Sequence, residues 1–109
     1  MKVSLLKNEK DALKELKEEI SKRYKLHWMK LIGSKVRGDF DEESDIDIVI
    51  ALENVDWDIE RDIYETCFYL GLKYDVVISP IIYSEKDIND TFTRITPFYR
   101  TVESEGILI

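Results

Sequence analysis

A chain of 109 residues, 44% hydrophobic and 36% charged, has the size and composition of one folded domain spanning residues 1–109, not of a disordered segment. Its net charge of −7 is uneven, with nine basic against five acidic side chains in residues 1–30 and the acidic excess in the remainder. That balance argues against direct, phosphate-driven nucleic-acid binding. No apolar run approaches the roughly 18 residues of a membrane span and no signal-peptide pattern is present, while the lone Cys67 excludes an internal disulfide, so a cytoplasmic protein is expected.

In chain order, residues 8–24 place Leu13, Leu16, Ile20 and Tyr24 at spacings of three and four, which predicts an amphipathic helix. Residues 26–32, LHWMKLI, predict a first strand ending at Gly33, and residues 45–52 a second. Asn54 or Asp56 is expected to cap a second long helix that carries Ile59, Ile63, Cys67 and Leu70 on one face and stops at Gly71. Residues 74–79, YDVVIS, predict a third strand closed by Pro80. Ser84 and Asp87 have the spacing of a capping box, and Thr96-Pro97 opens a last helix that Gly106 ends. The order α-β-β-α-β-α-α predicts an α/β (α+β) domain with a small mixed sheet of three to four strands flanked by helices. Cys67, Trp28, Trp57, Tyr64 and Tyr69 are expected mainly in the core, and the lone His27 has no partner at metal-ligand spacing.

Residues 33–50, GSKVRGDFDEESDIDIVI, hold the chemistry. Strand side chains alternate, so Asp45 and Asp47 share one face while Ile46, Ile48 and Ile50 share the other. Two carboxylates this close repel one another, and a divalent cation relieves the repulsion. Oxygen ligands favour Mg²⁺ or Mn²⁺, which commonly bridge carboxylates and a substrate's phosphates. Gly33-Ser34 opens a short helical turn where backbone N–H groups and a hydroxyl can meet an anion, with Lys35 or Arg37 adding charge. Asp39, Asp41, Glu42 and Glu43 read as a solvated turn.

Gly33-Ser34, Arg37-Gly38 and Ser44-Asp45-Ile46-Asp47 together resemble the GSxxRG…SDxD signature of the nucleotidyltransferase fold of the DNA polymerase β superfamily. The chain's size and layout resemble the minimal members, the MNT proteins that pair with HEPN toxins. Val36 departs from the alanine often found there, a small apolar exchange. The resemblance implies a third carboxylate on a neighbouring strand, for which Asp75 is the matching candidate. It implies Asp45, Asp47 and Asp75 as catalytic metal ligands for Mg²⁺ or Mn²⁺, with Gly33, Ser34 and Arg37 on the phosphates of ATP. Asp75 would also take the acceptor's proton. The implied reaction is AMP transfer to a tyrosine hydroxyl of a HEPN-type toxin, with this chain as the antitoxin in a homo- or hetero-oligomer. Two other readings stay open: a module that neutralises its partner by binding alone, and a small-molecule adenylyltransferase.

Overall fold

The computed structural model describes residues 5–37 and 45–109, with the side chains of Ser34 and Arg37 left aside. The elements in order are α1 (Lys7–Arg23), β1 (Leu26–Ile32), α2 (Ser34–Arg37), β2 (Ile46–Leu52), α3 (Trp57–Tyr74), β3 (Ile78–Ser84), α4 (Glu85–Asn89), α5 (Thr91–Arg94), α6 (Pro97–Glu105) and β4 (Ile107–Leu108). They build a four-stranded mixed sheet of order β3-β2-β1-β4, in which β1 runs antiparallel to β2 and β4 while β2 and β3 are parallel. Among the described residues, no helix is long and apolar enough to cross a membrane.

The main core lies on one face of the sheet. Met29 and Leu31 of β1 and Ile46, Ile48, Ile50 and Leu52 of β2 pack there against Ala12, Leu13, Leu16 and Ile20 of α1 and Ile63, Cys67 and Leu70 of α3. The two helices run antiparallel and are clasped at both ends. Tyr24 Oη donates to Asp62 at 2.5 Å beside an Arg23–Asp62 pair, and Tyr74 Oη donates to Glu15 at 2.7 Å beside a Lys73–Glu15 pair. The opposite face carries a smaller cluster, Ile32, Val49 and Val102 of α6, with Trp28, Ile81 and Tyr83 against it. The central strand β2 is therefore dry on both faces from Ile48 onward, and acidic only at its start.

Three local expectations are corrected. Gly71 does not stop α3, which runs on to Tyr74 and ends where Asp75 adopts the left-handed conformation at φ 58°. The Gly71 carbonyl then accepts the N–H groups of both Asp75 and Val76. The third strand consequently begins at Ile78 instead of Tyr74, and Pro80 sits inside it. Proline is tolerated because β3 is an edge strand, where a missing N–H need leave no ladder partner unmet. Finally, Trp57, Tyr64 and Tyr69 are exposed, because they lie off the Ile63–Cys67–Leu70 stripe that α3 buries.

Candidate active site

The site forms where β1 ends and β2 begins. The antiparallel register sets Ile32 opposite Asp47, so Gly33, the next residue, turns over the start of β2. Gly33 has φ +78°, a left-handed conformation that costs other residues about 1–2 kcal/mol. A Cβ placed on Gly33 would stand 2.6 Å from Asp47 Oδ2. The absence of a side chain thus lets the Gly-Ser turn lie directly on the carboxylate. After it, the Val36 N–H donates to the Gly33 carbonyl at 3.1 Å and opens the single turn of α2.

That turn is anchored from beneath. Lys35, fully buried, pairs with Glu9 of α1 at 2.7 Å. Glu9 also accepts the Leu6 N–H at 2.8 Å, closing the first turn of α1. The charge that the sequence offered for phosphate at Lys35 is instead spent inside the protein. Of the other expected phosphate residues, Ser34 and Arg37 contribute their backbone to α2, and Gly38 with the acidic turn lies outside the described residues.

Asp45 is exposed and Asp47 half-buried at the start of β2. The parallel register places Ser79 of β3 opposite Asp47, and Ser79 Oγ donates to Asp45 Oδ2 at 3.3 Å. The structure brings together Gly33, Asp45, Asp47 and Ser79. Asp75 caps the end of α3, three positions before the first residue of β3, in a connection whose Val77 carbonyl accepts the Ile46 N–H at 2.8 Å. Asp75 lines a cavity of about 490 Å³ with Tyr64, Phe68, Leu72, Val77 and Pro80. Sequence reading missed Ser79, because a strand drawn over 74–79 puts Asp75, not Ser79, near the start of β2.

The donor set at this corner is oxygen only: two carboxylates from one strand face and a serine hydroxyl, open to solvent beside a glycine turn. Such a set fits a hard divalent cation, and the space kept free by Gly33 fits an oxyanion brought next to it.

Residues 13–108 match the family described as "Nucleotidyltransferase domain". The chain belongs to the nucleotidyltransferase family. Two relatives from Methanocaldococcus jannaschii carry the name "putative protein adenylyltransferase". One is 42% identical over 101 residues, covering 91% of this chain and 95% of the relative. The other is 38% identical over 100 residues, covering 89% and 94%. A solved structure titled as a toxin-antitoxin with AMP-PNP shares the fold of this nucleotidyltransferase at a TM-score of 0.65 and 18% identity, over 94% of this chain and 72% of that one. A Sulfolobus solfataricus structure, titled as "a putative nucleotidyltransferase", shares it at a TM-score of 0.53 and 21% identity, over 90% of this chain and 76% of that one.

Proposed function

We propose that this nucleotidyltransferase moves AMP from ATP to a hydroxyl of a partner protein. The observation that carries the reading is the contact of the Gly33 turn with Asp47 beside Asp45, with the two protein-adenylyltransferase relatives as support. Asp45 and Asp47 would hold Mg²⁺ or Mn²⁺, which when bound neutralises phosphate charge and steadies the leaving group. Gly33, Ser34 and Arg37 would meet the phosphates of ATP. The acceptor oxygen attacks the α-phosphorus, the bond to the bridging oxygen breaks and pyrophosphate leaves. The hydroxyl proton passes to a site carboxylate. Asp75 remains the proposed third carboxylate of the resemblance, on the α3–β3 connection whose Val77 carbonyl accepts the Ile46 N–H at the start of β2. In this chain the protein contributes positioning and charge.

The partner we propose is a HEPN-type toxin with an acceptor tyrosine, and the chain its antitoxin. The structure titled as a toxin-antitoxin with AMP-PNP supports that direction through its fold. The test is ATP labelled at the α-phosphate and, in parallel, at the γ-phosphate, added with Mg²⁺ and the co-expressed partner. Protein labelled only from the α-position, with label lost in Asp45→Asn, is the expected result. Neutralisation of the partner that survives Asp45→Asn with no label from either position would overturn the catalytic reading in favour of binding alone.

A further inference from the structure

The far end of the sheet holds a second group of ligating side chains. Leu26, Leu52 and Ser84 form one row across β1, β2 and β3, and His27, Glu53 and Glu85 each follow that row by one residue. One imidazole nitrogen of His27 and one carboxylate oxygen each from Glu53 and Glu85 lie within 4.8 Å of one another. The distance from Asp47 to Glu53 along β2 is about 20 Å at ~3.3 Å per residue, so this is not the Asp45–Asp47 corner.

The backbone at His27 is irregular in an informative way. Leu26 pairs with Leu52 but Trp28 pairs with Ala51, so His27 is an extra residue, a bulge in β1. The bulge sets Leu26 and Trp28 on opposite faces, Leu26 against the main core and Trp28 against the smaller cluster. A ladder without His27 would run regularly, with Leu26 still opposite Leu52 and still on the core side. The packing therefore gives no reason for the extra residue, whereas the bulge turns the chain's one histidine out beside two glutamates.

Among the described residues, the only ion pair made by these three is Glu53 with Lys25, at 3.2 Å. The corner thus carries two carboxylates against one lysine. A tetrahedral zinc ion with ligand bonds near 2.1 Å needs its ligand atoms about 3.4 Å apart. Exposed Glu85 and half-buried Glu53 close a gap of that order by rotamer change. Imidazole with carboxylates suits a transition metal, whereas Mg²⁺ prefers oxygen alone.

We propose that His27, Glu53 and Glu85 form a second cation site, for a divalent transition metal of the Zn²⁺ type, that ties the ends of β1, β2 and β3 together. Because the chain has a single histidine, its imidazole signals in NMR report on this site without ambiguity. Titrating the full-length protein with Zn²⁺ is expected to shift them saturably. Zinc affinity measured calorimetrically should fall at least ~10-fold in His27→Ala and in Glu53→Gln/Glu85→Gln, and persist in Asp45→Asn/Asp47→Asn. Deleting His27 should leave a folded protein that has lost the site. Imidazole signals unmoved by Zn²⁺, or an affinity unchanged in His27→Ala, would overturn the proposal. So would zinc binding abolished by the Asp45/Asp47 pair of substitutions alone.

Discussion

Replacing Gly33 by alanine tests the contact on which the active-site reading rests. Two costs are expected. The first is the left-handed backbone at φ +78°, worth about 1–2 kcal/mol for a residue with a Cβ. The second is steric, since the new Cβ meets Asp47 Oδ2 at 2.6 Å and Asp47 Cβ and Cγ at 3.4 Å. The carboxylate must retreat by close to an ångström, and such a displacement of a reacting group costs on the order of 10²-fold in rate. Together the two terms should lower stability by about 2–3 kcal/mol, or roughly 8–12 °C in Tm. Urea unfolding of the metal-free protein in a double-mutant cycle separates them. In an Asp47→Ala background the clash is gone and Gly33→Ala should cost only the backbone term, giving a coupling of about 1 kcal/mol. An equal cost in both backgrounds would refute the proposed contact.

Three further outcomes are expected. In metal-dependent transfer assays, Asp47→Asn should lose about 10²-fold or more, and Ser79→Ala, which frees Asp45 from its hydroxyl partner, should lose less. A loss at Asp75→Asn as large as at Asp47→Asn would establish the third carboxylate role, and near-normal activity would leave that role to the Asp45–Asp47–Ser79 corner. Lys35→Met strands the buried Glu9 carboxylate and should cost roughly 3–5 kcal/mol in urea unfolding, with part regained in Glu9→Gln/Lys35→Met. The clasp between α1 and α3 should also shape the pH profile of stability. Hydrogen bonds from Tyr24 and then Arg23 hold Asp62 below the usual carboxylate range, so its contribution is present above about pH 4 and lost as pH falls through the lowered value. The same bond, with burial, pushes the Tyr24 hydroxyl up to about 12; its contribution is full below about pH 10 and lost as pH rises toward 12. Asp62→Asn should flatten the acid limb and Tyr24→Phe the alkaline limb; unchanged limbs would remove the clasp from the account.

Where one element buries one stripe, the sequence was legible. Helices α1 and α3 and strands β1 and β2 fall within a residue or two of their patterns, apart from the end of α3. The errors came where two signals competed. Val76 and Val77 look like strand, but the left-handed turn at Asp75 commits them to the connection. Pro80 looks like a stop, but only an interior strand would need its N–H. β4, two residues long, has no period to read. Aromatic type did not say which side of α3 a residue takes; the position of Phe68, Leu72 and Tyr64 off the buried stripe does. At the site, Gly33 and Asp47 were legible because a strand, a turn and an antiparallel return must bring them near each other. Ser79 was not, because its place depends on a parallel register that no local pattern encodes.

That register also explains why this short motif needs a whole domain behind it. A slip of one residue between β1 and β2 would turn Asp47 toward the α1–α3 core and an isoleucine toward solvent. Burial of Ile46, Ile48 and Ile50 on one side and Val49 on the other makes such a slip costly, so the hydrophobic pattern of β2 fixes the carboxylates in place. Gly33 is then delivered by β1, whose Ile32 is itself buried against Val49 and Val102. Lys35 is held by Glu9 from the opposite face of the sheet. The proposed catalytic corner is thus located by three separate burials, and its rim, exposed Asp45 with half-buried Ser79, is where a cation or a phosphate would meet it.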